Sequence, residues 1–306
     1  MHRLSKTALY KKTIALVVCL CFGTMVFVPS ALAAESAPTI LEPVASGITV
    51  LSNEKAMIDA SNAKDGYIMA AYKQAVDKKL KLRITGPDKT VYTYNLNQEG
   101  KYETFPLSGG EGTYSIVVYE NISGNKYATA YSTTLTVMIT DAYAPYLRAN
   151  QYVNYQADSE VVKKAAELVQ DKTTALEKIA AVYKYTITTL TYDQEKAKTV
   201  QTGYLPDVDK VLAEQKGICF DYAAVMTAML RSQGIPTRLV VGYAGEVYHA
   251  WINTFIPEKG WVEGMIYFDG ETWKLMDPTF ASSAKQSKQM MEYIGNGNNY
   301  TAKYLY

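Results

Sequence analysis

The stretch that decides the fold of this chain is Gly-Ile-Cys-Phe-Asp-Tyr-Ala at residues 217–223. Apolar residues recur after it at helical spacing and predict a helix from Phe220 to about Gln233. Gly234, with a proline two residues later, ends such a helix in the usual order. Cys219 therefore stands where a loop becomes a helix.

The position of Cys219 suggests a chemical role for its thiol. Backbone N–H groups at a helix start lack intrahelical partners and carry partial positive charge, which favours thiolate over thiol. Gly217 lets the backbone approach closely just before the cysteine. The alternative is a small apolar side chain at the foot of a helix, which is the commoner role of a free cysteine. Its position and the export argued next favour the nucleophile.

Residues 1–33 have the parts of a secretory signal peptide. A basic segment from His2 to Lys12 precedes an apolar stretch from Thr13 to Val28, and Ala-Leu-Ala at 31–33 is typical of a cleavage site. The apolar stretch is short for a membrane span, and a retained anchor is the alternative. We expect a secreted, extracellular protein, free in solution or associated with the cell wall, with no membrane segment after cleavage.

Removal of this leader changes the charge and the cysteine count. The chain has 31 Lys and Arg and 30 Asp and Glu, and four of the basic residues lie in the leader, which leaves 27 against 30 and a net charge of −3. This balance argues against a nucleic-acid binder. One Cys and one His remain, Cys219 and His249. A lone cysteine in an oxidising compartment is a buried thiol, an intermolecular bridge or a reactive group.

Residues 34–145 are predicted to form a β-rich domain. From Thr39 to Thr140, β-branched and aromatic runs alternate with turn clusters such as 86–88 and 108–112. Short strands at this spacing predict a β-sandwich of immunoglobulin-like type. No short motif here carries chemistry, and its tyrosines are read as half-buried strand residues, with a carbohydrate-binding face as the alternative.

Residues 146–306 are predicted to form an α+β domain, beyond a junction at 141–156. Thr174 and Glu177 form a candidate capping box of one helix, and 203–209 is predicted to be a loop leading towards the cysteine. Strands of an antiparallel sheet are predicted after the cysteine helix, with a hairpin turn at 269–270. These strands cover 238–243, 248–256, 261–268 and 272–277.

His249 is the candidate base. On a strand its side chain shares one face with Trp251, Asn253 and Phe255. A catalytic thiol needs a group that takes its proton and returns it to the leaving group, and imidazole titrates in the right range. The alternative is a hydrogen-bonded core histidine.

Asp277 is the candidate third member of a catalytic triad. It ends a row that also contains Trp273 and Leu275, and beside His249 its carboxylate would fix the imidazole tautomer. The alternative is an aspartate that caps the turn at Pro278.

Two other acids compete with Asp277 for this role. Asp269 precedes a glycine and is typical of a turn. Asp221 is close to the cysteine, but it lies in the first turn of the predicted helix, where its negative charge interacts favourably with the positive end of the helix dipole.

Four ordered blocks of sequence resemble the transglutaminase-like superfamily, within a match from about 176 to 282 that covers a third of the chain. The blocks are 217–223, 234–238 with 241–243, 249–251 and 277–279. The resemblance implies a papain-like thiol fold, in which helices pack on an antiparallel sheet. It also implies that Cys219 is the nucleophile, His249 the base and Asp277 the orienting carboxylate.

The resemblance further implies attack by the Cys219 thiolate on a glutamine carboxamide or peptide carbonyl of a protein or peptide substrate. The resulting thioester is resolved by an amine or by water. The Cys219 backbone N–H is the first candidate oxyanion donor, with Gln215 and Tyr204 considered for the second. Trp251 and Tyr204 are the candidate substrate-binding residues, and core packing is the alternative for Trp251.

Three functions are therefore compatible with the sequence. The first is a secreted transglutaminase-type acyltransferase, the second is a cysteine protease or amidase that acts on cell-surface protein or peptidoglycan, and the third is a non-catalytic adhesion or cell-wall-binding module. The combination of Cys, His and Asp favours the first two. No metal or cofactor is expected, because the chain has no His pair and no calcium-loop spacing of acids.

Overall fold

The computed structural model describes residues 40–257, 259–263, 266–268, 273–275 and 299–306, and the predicted leader lies outside them. Strands come first along the described chain, then helices, then a second group of strands. This order confirms the change of period predicted from the sequence.

The β half (residues 50–137) consists of eight strands in two four-stranded sheets, of order β1-β2-β3-β6 and β5-β4-β7-β8. All pairings in both sheets are antiparallel. The predicted turn clusters at 86–88 and 108–112 fall at the junctions of β4 with β5 and of β6 with β7. The strands are β1 (Val50–Ser52), β2 (Ala56–Asp59), β3 (Tyr67–Tyr72), β4 (Leu80–Thr85), β5 (Val91–Leu96), β6 (Glu103–Pro106), β7 (Gly112–Ser123) and β8 (Lys126–Val137).

Side chains that point between the two sheets form the core of the β half. In β5, buried and exposed residues alternate strictly, with Tyr92 and Tyr94 on the buried face. They join Ile58 and Ile68 of the other sheet in one buried hydrophobic cluster. Burial of such side chains contributes roughly 1.5–3 kcal/mol each, so the alternating pattern fixes which face of each sheet turns inward.

Five helices follow in the part of the chain that the structure describes, and the second of them has the predicted capping box. The Thr174 hydroxyl accepts from the Glu177 N–H at 3.2 Å, and the Glu177 carboxylate accepts from the Thr174 N–H at 3.0 Å. The predicted loop at 203–209 is too long, because the Asp207 side chain caps a helix that begins at the next residue. The helices are α1 (Glu160–Val169), α2 (Ala175–Thr189), α3 (Gln194–Thr199), α4 (Val208–Glu214) and α5 (Cys219–Ser232), and 3-10 turns lie at Ala63–Asp65 and Ala144–Tyr146.

The second group of strands forms an antiparallel sheet of order β13-β12-β11-β16, as expected for the α+β half (residues 160–306). A separate parallel pair, β9 with β10, precedes α5, and β14 pairs with β15. The strands are β9 (Thr191–Tyr192), β10 (Lys216–Gly217), β11 (Thr237–Ala244), β12 (Val247–Ile256), β13 (Gly260–Val262), β14 (Ile266–Phe268), β15 (Trp273–Leu275) and β16 (Tyr300–Leu305).

Two strand predictions are corrected by this arrangement. The run 261–268 was predicted to be one strand, but its two ends pair with different partners, β12 and β15. Glu263 and Gly264 break the apolar run between them. Strand β16 was not predicted, and it completes the main sheet beside β11. The predicted turn at 269–270 lies outside the described residues.

Helix α5 is the centre of the α+β half. It packs against β11 and β12 on one side and against α1, α2 and α4 on others. Every residue from Asp221 to Ser232 is buried. The helix is therefore enclosed on all sides, and the single apolar face predicted for it is only part of its buried surface.

The described residues of both halves belong to one compact unit that runs to the last residue. Aromatic rings meet between them, for example Tyr94 of β5 and Tyr306 with centroids 6.0 Å apart. The proposed domain boundary near residue 145 stays a prediction. Among the described helices, none is long and apolar enough to cross a lipid bilayer.

Candidate active site

Cys219 is the first residue of α5, as predicted, and its thiol is free and half-buried. The two residues of β10 lead directly into it, and they are fixed by β9, because Gly217 O accepts from the Asp193 N–H at 2.9 Å. The candidate nucleophile therefore lies at the start of a buried helix, and the strand that precedes this helix, β10, pairs with β9.

The start of α5 is capped by an acid within the helix. Ile218 occupies the N-cap position and its side chain has no acceptor. The Asp221 carboxylate, three residues on, accepts from the Ile218 N–H at 2.8 Å. This is the acidic half of a capping box, and it satisfies a donor that the helix leaves open.

Asp221 also binds two side chains from the preceding segments. Its carboxylate accepts from the Tyr204 hydroxyl at 2.6 Å and forms an ion pair with Lys196 Nζ at 2.6 Å. Lys196 Nζ donates to the Tyr204 oxygen as well, at 2.5 Å. Burial, and then the hydrogen bond and charge of Asp221, raise the pKa of Tyr204 well above its ordinary value. The hydroxyl of Tyr204, a predicted substrate-binding residue, is thus directed at Asp221.

The glycine before the N-cap is required by this carboxylate. A Cβ on Gly217 would lie 2.6 Å from the Asp221 Cβ and 3.0 Å from its Oδ2. Real Cβ atoms do not approach other atoms so closely, so any larger residue would displace the acid. The Gly-x-Cys-x-Asp spacing in the sequence follows from this packing.

His249 lies on β12, the strand that packs against α5. Its side chain is buried, and its ring stacks on that of Trp251 with centroids 6.3 Å apart and an interplanar angle of 22°. The predicted sharing of one strand face by these two residues is confirmed. The pairing of the His249 ring with the Cys219 sulfur stays a prediction.

Trp251, the other predicted substrate-binding residue, is only 4% exposed. Its ring meets that of Tyr300 on β16 at 5.3 Å, and it lies against Gly242, where a Cβ would come within 2.9 Å of the indole. In this structure its contacts are to the protein core around His249, and contact with a substrate stays a prediction.

Two exposed tyrosines beside His249 were not singled out from the sequence. Tyr243 and Tyr248 face each other across the β11–β12 hairpin, with ring centroids 5.5 Å apart, and are 39% and 57% exposed. Partial burial, and then the charges of Tyr304, Tyr243 and Cys219, raise the pKa of Tyr248. The adjacent pairing on a predicted hairpin is the sequence signal that could have identified them.

Asp277, the predicted orienting carboxylate, lies outside the described residues, as does its competitor Asp269. The structure thus brings together the elements that carry Cys219 and His249, and it assigns Asp221 to the helix start. Within the described part of the chain, no group of three or more His, Cys, Asp and Glu side chains converges as a metal site would require.

Comparison with known protein families identifies this region. Residues 162–264 match the model of the transglutaminase-like superfamily core. The uncharacterized protein YebA of Bacillus subtilis is 33% identical over a region that covers 32% of this chain and 16% of that protein. A protein-glutamine gamma-glutamyltransferase of Pseudomonas aeruginosa is 29% identical over 30% of this chain and 14% of that protein. The chain thus spans only a small part, about one seventh, of the curated relatives it matches.

Solved structures give weaker likenesses. A candidate cysteine protease from Cytophaga hutchinsonii has a TM-score of 0.39 at 14% identity, covering 85% of this chain and 74% of that one. Red sea bream transglutaminase has a TM-score of 0.30 at 13% identity, covering 75% and 53%. At TM-scores below 0.5 both differ too much from this structure to support a conclusion.

The family match begins in α1 and ends just past β13, and so it contains both Cys219 and His249. The mixed arrangement of helices and sheets is consistent with a core of that family. The part of this chain that resembles the transglutaminase-like superfamily is therefore residues 162–264, about a third of its length.

Proposed function

We propose that this protein is a secreted thiol acyltransferase in which Cys219 forms a thioester with a glutamine carboxamide or a peptide carbonyl. The observation that carries the proposal is the position of Cys219 at the start of a fully enclosed helix that packs against the strand of His249. Both residues lie within the family match. A cysteine that only fills space needs neither the capped helix start nor a histidine on the adjoining strand.

In the proposed reaction, Cys219, His249 and Asp277 each have one role. His249 takes the Cys219 proton, and the sulfur attacks the carboxamide carbon to form a C–S bond. The backbone N–H of Cys219 donates to the oxyanion. Collapse of the tetrahedral intermediate breaks the C–N bond, and His249 returns the proton to the leaving ammonia. An amine or water then attacks the thioester and loses a proton to His249, the C–S bond breaks, and the Cys219 thiolate leaves. Asp277 is assigned the role of orienting the His249 ring.

An amine as the second substrate would make the product a cross-link. This outcome is favoured by the likeness to the Pseudomonas aeruginosa protein whose name describes glutamine gamma-glutamyl transfer. Water would instead give deamidation or peptide cleavage, as in a cysteine protease or amidase acting on cell-surface protein or peptidoglycan. The two outcomes share the thioester and differ only in the group that resolves it.

The β half is assigned an immunoglobulin-like topology. The first observation in support is the strand order, β1-β2-β3-β6 against β5-β4-β7-β8, in two antiparallel sheets around one core. The second is a tyrosine at a turn between the two sheets. The Tyr114 hydroxyl, near the start of β7, donates back to Gly110 O at 2.7 Å and is 3.1 Å from Leu107 O. A tyrosine that bonds back to its own corner is a hallmark of such sandwiches.

Export and a location outside the cell, free or at the cell wall, are also part of the proposal. The basic, apolar and small-residue segments of 1–33 support it. Mass measurement of the protein from culture medium and from the cell-wall fraction tests it. A mature N-terminus near residue 34 is expected, and full-length protein confined to the cytoplasm would contradict it.

The product test offers a glutamine-containing protein and a labelled primary amine to the purified chain, with Cys219→Ala as the control. Mass spectrometry distinguishes amine incorporation, deamidation and chain cleavage. Cysteine-dependent incorporation is expected. Cleavage without incorporation would make the protein a protease or amidase, and no reaction that depends on Cys219 would support the non-catalytic adhesion module.

A further inference from the structure

The Asp221 carboxylate is a buried charged group with no part in the proposed triad. It is fully buried in the first turn of α5, two residues after the nucleophile. Three donors converge on it: the Ile218 N–H, the Tyr204 hydroxyl and Lys196 Nζ. A buried carboxylate is costly unless it is fully bonded, so this arrangement is specific.

Two hydrogen bonds hold the backbone on either side of Ile218, the residue that precedes the cysteine. The Ile218 N–H is held by Asp221, and the Ile218 carbonyl accepts from the Tyr222 N–H at 3.1 Å, along the helix. In a trans peptide the following N–H points opposite to that carbonyl. The Cys219 N–H is therefore directed out of the helix start, where the proposed oxyanion forms.

Lys196 and Tyr204 connect this point to other elements. Lys196 lies on α3, whose first turn is capped by Asp193, and Asp193 also binds the main chain of β10. Tyr204 lies in the segment between α3 and α4. The carboxylate thus holds the helix start against two segments that precede it, and it restrains the backbone of Ile218, whose conformation sets the direction of the Cys219 N–H.

We infer that Asp221, held by Lys196 and Tyr204, is a positioning residue that aligns the Cys219 backbone N–H as the oxyanion donor. The inference rests on the proposed function, because it concerns the same thioester chemistry. It separates two properties of the site: nucleophilicity belongs to the thiol and His249, and oxyanion stabilisation depends on Asp221. Loss of one well-placed oxyanion donor lowers turnover by about 10²–10³-fold, so misalignment of one by a lost tether should cost at least about tenfold.

The test compares two reactions of the same sulfur. Acylation by p-nitrophenyl acetate forms the C–S bond, expels p-nitrophenolate and passes through an oxyanion. Alkylation by iodoacetamide displaces iodide at a saturated carbon and passes through none. Both rates are measured on folded protein for the wild type, Asp221→Asn, Tyr204→Phe and Lys196→Met, and intact mass identifies Cys219 as the modified residue.

The expected result is a split between the two rates. Asp221→Asn lowers acylation about tenfold or more and changes alkylation less than about threefold, with smaller losses of acylation in the other two variants. The matched control is Glu177→Gln, at the acid of the α2 capping box, where the carboxylate accepts from the Thr174 N–H at 3.0 Å. It makes the same acid-to-amide change at the same position of another capping box, where the hydrogen bonds of the carboxylate within the described part of the chain are to Thr173 and Thr174, and both of its rates should match the wild type.

Several outcomes overturn the inference. Unchanged acylation in folded Asp221→Asn contradicts it, and an equal fall in both rates makes Asp221 merely structural. If Asp221→Asn does not fold, unchanged acylation in both Tyr204→Phe and Lys196→Met overturns it instead. Failure of the wild type to form any acyl adduct at Cys219, while alkylation proceeds, would refute the proposed function itself and is seen before any variant is compared.

Discussion

At the scale of single residues, the candidate site depends on groups that do not react. Gly217 makes room for Asp221, Asp221 caps the helix start, and Cys219 is the residue that this arrangement presents. The position of Cys219 at a helix start was predicted from the sequence because a helix start and end can be read locally. The role of Asp221 could not be, since its partners lie 17 and 25 residues away in segments that have no strong period.

Replacement of Gly217 by alanine tests this packing. The new Cβ would displace the Asp221 side chain, so Gly217→Ala should lower the free energy of unfolding by about 1–3 kcal/mol and slow acylation of Cys219. Gly124→Ala is the control, because Gly124 has a φ of +50° and open space around its Cβ. The strain of alanine at this φ should lower the free energy of unfolding by about 1–2 kcal/mol and leave the acylation rate of Cys219 unchanged. Urea unfolding and acylation kinetics measure both, and a normal acylation rate in Gly217→Ala would contradict the packing argument.

At the scale of elements, charges join strands from the two sheets of the β half. Glu120 on β7 accepts from Lys55 next to β2, from the Tyr72 hydroxyl of β3 at 2.9 Å and from Lys78 Nζ at 3.2 Å. The hydrogen bond from Lys55, then that from Tyr72, lowers the pKa of Glu120 to about 2. These contacts connect a carboxylate of one sheet to donors on and near the other.

The lowered pKa of Glu120 makes this contribution pH-dependent. Its ordinary value is 4.5, so the stabilisation is fully present above about pH 4.5 and is lost as the pH falls towards 2. Glu120→Gln should lower the free energy of unfolding by about 1–2 kcal/mol at pH 7 and by less at pH 3. The loss at pH 7 is modest because the two lysines are half exposed. Glu99→Gln, in an exposed pair with Lys101, should have no such effect. Equal losses at both pH values, measured by urea unfolding, would contradict the assignment.

Elements also differ in how far their sequence predicts them. Helix α5 has a clear period and a glycine stop, and the alternation in β5 marks a two-sided strand. Helix α3 has only six residues, too few to show a period. Strand β16 was missed because it finds its partner, β11, more than fifty residues earlier, and no local turn signal joins them.

At the scale of the whole molecule, one arginine ties α5 to distant parts of the chain. Arg231, 2% exposed, donates to Thr237 O at 2.8 Å, to Arg148 O at 2.7 Å and to Tyr306 O at 2.6 Å. Burial lowers the pKa of this guanidinium to about 10. Its bonds join the central helix, the start of β11, the segment before α1 and the end of β16.

Arg231→Met should therefore destabilise the whole α+β half. The carbonyls of Thr237 and Arg148 would lose the bond from Arg231, and that of Tyr306 would keep only the Leu239 N–H. At about 1–3 kcal/mol for each unsatisfied carbonyl, the expected loss is about 2 kcal/mol or more. Arg83→Met, at an exposed position of β4, should change stability by no more than about 0.5 kcal/mol. Thermal and urea unfolding followed by circular dichroism measure both, and a loss under about 1 kcal/mol in Arg231→Met would contradict a tethering role.

The most direct test of the proposed chemistry is the rate at which Cys219 is acylated by p-nitrophenyl acetate in the wild type and in His249→Ala. The wild type should gain one acyl group on Cys219, and Cys219→Ala should gain none. The acylation rate of His249→Ala should be lower than that of the wild type by about 10²-fold or more, as expected when a general base is lost. An undiminished rate in folded His249→Ala would contradict the pairing of these two residues on α5 and β12.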